Sequence, residues 1–259
     1  MTSGFLGQAG RAAVANVRRW KEQNLLSGEP VRDRRPRFLP PDGSGCGVIA
    51  EIKLRSPSRG DLMAETEASG LLDAYVSAGA ECVSVVVEEQ HFGGSPELFR
   101  KIAGGCELPL LWKDFVVDPF QARLAAHLGA SGILIITGLQ GPDGLRDLIA
   151  VSRDQGLRPL VEIHSEEELD TALTAGADLV GINNRNLVTL EVDLSLSESI
   201  APSRLGGVQA VAESGMRGPE EVRKMADMGY RAVLVGESLV TARHPDLVLA
   251  SMVEAGRPR

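Results

Sequence analysis

From about residue 48 the chain alternates short apolar runs with longer stretches of helical period. The runs are Val48–Lys53, Cys82–Val87, Leu110–Lys113, Gly132–Ile136, Pro159–His164, Leu179–Asn183, Gln209–Glu213 and Ala232–Gly236, eight in all. They are rich in Val, Ile and Leu and show little polar alternation, which is how strands buried on both faces of a parallel sheet read. The segments between them carry helix-start signals. Ser165 followed by Glu166, Glu167 and Glu168 reads as a capping serine with first-turn acids, and Gly218-Pro219-Glu220-Glu221 puts a proline at the first turn, as do Pro119 and Pro245. A second phrase marks helix ends: SAGA at 77–80, HLGA at 127–130, TAGA at 174–177 and DMGY at 227–230. Each glycine suits the left-handed residue that closes a helix before a strand. Eight βα units predict an α/β protein with a closed (β/α)8 TIM barrel, in preference to an open doubly wound sheet.

The first 46 residues differ in pattern. Ala12–Leu26 reads as a helix, and Arg32–Gly47, rich in Arg, Pro and Gly, reads as a linker. Residues 1–46 are therefore expected to be an extension packed on the barrel, not an independent domain, with residues 47–259 forming the catalytic barrel.

Length and charge narrow the reading. A chain of 259 residues suits one barrel. The net charge of −8 argues against nucleic acid or anionic membrane as main partners, so any phosphate site must be a local feature. Cys46, Cys82 and Cys106 form no CxxC pair and suit small buried residues in a reducing cytosol. There is no charged start followed by an apolar run, and no apolar stretch approaches the roughly 20 residues of a membrane span. A cytoplasmic protein is expected, as a monomer or small homo-oligomer.

Barrel enzymes draw their chemistry from the C-terminal ends of the strands. Here those ends carry Glu51 and Lys53, two apart and so on one face, then Lys113, Glu162, Asn183 with Arg185, and Glu213 with Ser214. Any one of them could be a structural ion pair. Seven charged or amide groups converging on one rim point instead to proton-transfer chemistry, because crowding shifts the pKa of lysines and glutamates. The loops after the last two runs, Ser214-Gly215 and Gly236-Glu237-Ser238, hold glycines that let backbone N–H groups approach a phosphate, and Ser56-Pro57-Ser58-Arg59-Gly60 adds hydroxyls and a cation. The four histidines, His91, His127, His164 and His244, lack metal-ligand spacing, and no GxSxG, GxGxxG or P-loop is present. Phe92, Phe115 and Trp112 near the rim either stack on an aromatic substrate or fill space.

Several of these segments are recognisable. IAEIKLRSPSRG at 49–60, HFGGS at 91–95, KDFVVDPFQ at 113–121, LVEIHSEEEL at 160–169, GINNRNL at 181–187, AESGMRGPEEV at 212–222 and VLVGESL at 233–239 follow in family order. Together they resemble the indole-3-glycerol phosphate synthases over nearly everything after residue 47. The resemblance implies closure of an indole ring from 1-(2-carboxyphenylamino)-1-deoxyribulose 5-phosphate, with loss of carbon dioxide and water and without cofactor or metal. By the same resemblance Lys113 is the general acid at the carbonyl, Glu162 a general acid/base, and Lys53 and Glu51 assist dehydration. Asn183 and Ser214 complete the catalytic group. Arg185, Glu213, Phe92, Phe115 and Leu134 bind the substrate, and Ser56, Gly215, Gly236 and Glu237 the phosphate. Trp112, Val87, Asn186 and the segment Arg35–Gly47 depart from the family pattern, which leaves open a paralogue with a modified anthranilate-derived substrate. A barrel aldolase or lyase using Lys53 or Lys113 as a Schiff base, and a barrel that only binds a phosphorylated ligand, are the other readings.

Overall fold

Eight parallel strands close on themselves in chain order. They are β1 (Gly47–Ile52), β2 (Cys82–Val86), β3 (Leu110–Lys113), β4 (Gly132–Ile136), β5 (Arg158–Ile163), β6 (Leu179–Asn183), β7 (Gln209–Glu213) and β8 (Ala232–Val235), with β8 pairing back onto β1. The computed structural model describes residues 4–31, 35–40, 45–186, 189–200 and 202–258. Residues 32–34 and 41–44 of the expected linker, and residue 187 at the end of the GINNRNL phrase, lie outside them. Each run predicted as a strand is one, with ends shifted by at most one residue at the sites that matter: Lys53, His164 and Gly236 stand immediately beyond their strands.

The outer ring comprises α2 (Ala68–Ser77), α3 (Pro96–Gly105), α4 (Pro119–His127), α5 (Pro142–Asp154), α6 (Glu166–Thr174), the short α7 (Ser195–Ser199), α8 (Pro219–Asp227), the short α9 (Glu237–Val240) and α10 (Pro245–Gly256), preceded by α1 (Phe5–Glu22). The capping signals work as expected. Ser165 Oγ accepts the Glu168 N–H at 3.2 Å, and prolines occupy the first turn of α4, α8 and α10. Gly79, Gly129, Gly176 and Gly229 all have φ near +90°. At Gly79 the Ala80 N–H reaches back to Tyr75 O at 3.0 Å, the six-to-one bond of a Schellman turn.

Strand alternation produces two cores. Outward residues such as Ala50, Val85, Trp112, Ile133, Val161 and Val180 pack beneath the helices. Inward residues Ile49, Cys82, Leu111, Leu134, Leu160, Leu179, Val211 and Ala232 fill the barrel. Trp112 was expected near the rim, but it lies outside the sheet and is fully buried, with its ring 5.0 Å from Phe99 and 6.3 Å from Trp20. The period of two is the reason: Lys113 faces inward, so its neighbour faces out.

The N-terminal segment touches both ends of the barrel. The helix begins at Phe5 and ends at Glu22, earlier at both ends than the expected Ala12–Leu26. It stops because Asn24 adopts φ 54° and the Leu25 N–H bonds to Trp20 O at 3.2 Å. This helix lies over the loops that follow β2, β3 and β4: Trp20 Nε1 donates to Glu89 at 3.1 Å, Lys21 to Asp118 at 2.7 Å, and Phe5 packs edge-on against Phe115. Further along, Phe38 and Leu39 enter the opposite mouth. Phe38 sits on Gly132 at the start of β4, Leu39 O accepts from Arg158, and Pro40 O accepts from Arg231 at 3.4 Å. Among the described residues no helix is long and apolar enough to cross a membrane.

Phe38 is 2% exposed, so Phe38→Ala should open a cavity beneath the barrel core. A cost of about 3–5 kcal/mol is expected, which lowers the thermal midpoint by on the order of 10 °C for a chain of this size. An unchanged melting curve would contradict the packing of this segment into the barrel.

Candidate active site

A cavity of about 490 Å³ opens at the C-terminal ends of the strands. Glu51, Lys53, Lys113, Glu162, Asn183, Arg185, Glu213 and Ser214 all line it, as do Phe92, Phe115, Leu134, Ser56, Gly215, Gly236 and Glu237. Every position singled out from the sequence as a site residue therefore meets in one place.

The floor of this cavity is ionic. A barrel core is built from layers of four side chains contributed by alternate strands. The layer of Ile49, Leu111, Leu160 and Val211 from β1, β3, β5 and β7 is apolar. Two residues further along the same strands stand Glu51, Lys113, Glu162 and Glu213, with the three glutamates at most 3% exposed. Lys113 Nζ lies 3.5 Å from Glu162 Oε2 and 3.5 Å from Glu213 Oε2, and Glu51 is paired instead with Lys53 at 2.8 Å. The even strands make room for these carboxylates. A Cβ on Gly181 would collide with the Glu213 carboxylate, and one on Gly236 with that of Glu51.

Buried charges hold only where they are compensated, and here the groups compensate one another unequally. Burial pushes the Lys113 ammonium down, but Glu162, Glu213 and Glu51 outweigh it and raise its pKa well above the ordinary lysine value. Burial raises Glu162, yet the adjacent Lys113 and His164 win and hold it well below the carboxylate range. Glu51 is likewise lowered, with Lys53 and Lys113 overcoming its burial. Glu213 goes the other way. Burial, with the like charges of Glu162 and Glu51, exceeds the pull of Lys113 and raises it to about 8. Both Glu213 oxygens are buried without a hydrogen-bond partner, as is Glu162 Oε2. At neutral pH the floor thus carries one protonated lysine, two carboxylates and one carboxylic acid.

The walls differ on opposite sides of the barrel. On the β2 to β4 side, Phe92 and Phe115 lie 6.5 Å apart, with Val86, Leu134 and Ile136 beside them. The loop carrying Phe92 is pinned by buried Glu88, which accepts the backbone N–H groups of His91 at 2.7 Å and Phe92 at 2.9 Å. Asp114 accepts from the Phe115 N–H and from Gln121, and its burial raises it to about 7. On the β7, β8 and β1 side, the wall is made of backbone and small residues: Ser56, Ser214, Gly215, Gly236 and Ser238. Ser214 has φ 63°, an uncommon conformation for a side-chain-bearing residue, and is tied down by Oγ–H to Asn183 Oδ1 at 2.8 Å and by Asn184 to its carbonyl. Asn183 Oδ1 also accepts the Arg185 N–H at 3.0 Å. At the mouth Arg59 pairs with the Glu237 carboxylate at 2.9 Å, so what Glu237 can offer an anion is its backbone N–H.

The structure adds residues that the sequence reading did not select. Phe5 of α1 closes the aromatic end, edge-on to His91 at 5.0 Å and Phe115 at 6.0 Å. Arg217 and Met216 line the far wall. His164 stands behind Glu162, with Nε2 3.1 Å from Glu162 Oε1. Phe5 falls in a stretch not read as helix, and no signal in the sequence selects it. His164, two residues beyond Glu162 and hence on its face, was available to the same alternation argument that selected Lys53. Among the described residues no group of three or more His, Cys, Asp or Glu is placed to hold a metal ion.

A family model described as indole-3-glycerol phosphate synthase matches residues 36–252. The chain is 42% identical to the indole-3-glycerol phosphate synthase of Carboxydothermus hydrogenoformans over 246 residues, 92% of this chain and 93% of that one. It is 42% identical to the synthase of Saccharopolyspora erythraea, over 91% of this chain and 86% of the relative, and 40% identical to that of Mycobacterium sp. strain KMS, over 96% and 90%. Among solved structures, tryptophan synthase subunit alpha from Legionella pneumophila aligns with a TM-score of 0.60 at 14% identity, covering 81% of this chain and 92% of that one. At that identity the likeness shows the fold alone.

Glu213 makes a measurable demand on stability. A carboxyl with a folded value near 8 and an unfolded value of 4.5 binds more protons folded than unfolded across that window. Its contribution is complete below the unfolded value and is lost as pH rises through the folded one. Glu213→Gln removes this dependence, so between pH 5 and 8.5 the variant should lose less thermal stability than the parent, by about 2–4 °C for each kcal/mol involved. Parallel curves of melting temperature against pH would contradict a raised Glu213.

Proposed function

Since this chain belongs to the indole-3-glycerol phosphate synthase family, we propose that its cavity closes the ring of 1-(2-carboxyphenylamino)-1-deoxyribulose 5-phosphate, with loss of carbon dioxide and water, as a carboxy-lyase of tryptophan biosynthesis. The observation that carries the assignment of roles is Lys113 on the floor, 3.5 Å from both Glu162 and Glu213, between the aromatic and glycine-rich walls.

The substrate lies across the barrel, with its carboxyphenyl ring against Phe92, Phe115, Phe5 and Leu134, and its phosphate at Ser56, Gly215 and the backbone of Gly236 and Glu237. Arg185 takes the carboxylate, and Asn183 and Ser214 fix the orientation of the sugar chain. As the ring carbon bearing the carboxylate attacks the ketose carbonyl, the carbonyl π electrons move to oxygen, and that oxygen takes a proton from Lys113. A cation placed where an oxyanion develops is a strong catalytic term. The carbon–carboxylate bond then breaks, its electrons return to the ring, and carbon dioxide leaves. For dehydration Glu162, as a carboxylate, removes the C–H proton while Lys53, balanced by Glu51, protonates the departing hydroxyl. Glu213 keeps the field around Lys113 from becoming more negative by holding its own proton.

A Schiff-base mechanism fares worse on physical grounds as well as on relationship, because a lysine kept protonated by neighbouring carboxylates is a poor nucleophile. The three free, buried cysteines suit a reducing compartment, and we place the reaction in the cytoplasm.

Lys113→Ala should retain the fold and lose about 10²- to 10⁴-fold in kcat, with KM much less affected, in an assay that follows indole absorbance. Retained turnover in that variant, or borohydride trapping of substrate on Lys113 or Lys53 in the parent, would overturn the acid–base roles.

A further inference from the structure

His164 lines up between Glu162, which takes part in the chemistry above, and Glu168, which lies outside it. It follows β5 directly, two residues after Glu162, and its side chain leaves on the same face. Its Nε2 is 3.1 Å from Glu162 Oε1, while Nδ1 is 3.4 Å from Glu168 Oε2, the oxygen that also accepts the His164 backbone N–H at 2.7 Å. Glu168 is itself fixed in the first turn of α6, where Ser165 caps its N–H, and it packs against Gly138. The three side chains thus form a line from the interior outward, 2%, 16% and 27% exposed in turn. The other Glu162 oxygen faces Lys113 at 3.5 Å.

We propose that His164 is a positioning residue for the reaction: held beside Glu168, its charged ring stands against one oxygen of Glu162 and leaves the other facing Lys113 and the substrate, so that the carboxylate stays ionised between turnovers. This rests on the reading of Glu162 as the group that exchanges a proton with substrate.

The charges that face the ring are Glu162 from β5 and Glu168 from α6, with Lys113 from β3 beyond Glu162. The turn Thr137–Leu139, which packs on Glu168 from the β4 side, brings no charged side chain. Burial lowers the imidazole, but the two glutamates outweigh it and hold it up at about 10, so both ring nitrogens carry protons at neutral pH, each within ion-pair distance of a carboxylate. A neutral ring could donate to only one of them.

The test is a pH profile of kcat from 5.5 to 9.5 for the parent, His164→Gln and Glu168→Gln, beside an imidazole titration by NMR in histidine-labelled full-length protein. His164→Gln keeps an N–H donor and loses the charge. Its kcat should fall by about tenfold, a part of what acid–base catalysis supplies, with KM nearly unchanged. Its acid limb should move up by about one pH unit, because an opposite charge within contact distance lowers a carboxyl by about that much or more. Glu168→Gln should move the limb the same way by less. In the NMR arm the His164 ring of the parent should stay protonated at pH 8 and return toward an ordinary histidine in Glu162→Gln. That arm needs no turnover, so a failure of the assigned reaction does not disturb it, and it stands if His164→Gln does not fold. A neutral His164 at pH 7 in the parent, or a His164→Gln profile that superimposes on the parent's, would overturn the proposal.

Discussion

A single lysine ammonium set among three buried glutamates imposes most of the constraints on this molecule. Lys113 cannot be placed in a barrel interior alone, since an unpaired buried charge is costly. Three carboxylates around one ammonium would be costly in the other direction. The balance is struck with Lys53 on Glu51, His164 on Glu162 and a proton on Glu213. Glycines at 181 and 236 follow from this, because the carboxylates need the space that a side chain there would take. The apolar layer below, from Ile49 to Val211, supplies the low-dielectric wall that makes these interactions count.

The barrel turns that cluster into a site with direction. Strands β2 to β4 end in loops that present Phe92, Phe115 and Leu134, whereas β7, β8 and β1 end in glycine and serine. The substrate proposed above, with an aromatic ring at one end and a phosphate at the other, matches these two walls in chemistry, and Lys113 stands on the floor between them. The N-terminal segment contributes at both mouths: Phe5 completes the aromatic wall, and Phe38 with Leu39 seals the far end.

The pattern of apolar runs carried the barrel because its strands are buried on both faces and its helices are punctuated by capping serines, prolines and left-handed glycines. The charged floor was legible for the same reason, since residues two apart at a strand end share a face. What was not legible depends on contacts made across the chain. Trp112 looked like a rim aromatic until the inward direction of Lys113 fixed its own as outward. Phe5 gains its place only through the packing of α1 over the loops after β2, β3 and β4. The inequality of the glutamates, with Glu213 raised while Glu51 and Glu162 are lowered, follows from which cation each one touches, and residue order alone does not specify it.

The protonation of Lys113 is the point on which the account turns, and it can be observed directly by ¹⁵N NMR of the lysine side-chain nitrogens, assigned through the Lys113→Ala variant. The Lys113 nitrogen should keep the shift of an ammonium at about pH 10.4, where an unperturbed lysine is half deprotonated. A nitrogen that titrates to a neutral amine near pH 7 would contradict the ionic floor, and with it the role of Lys113 as an acid.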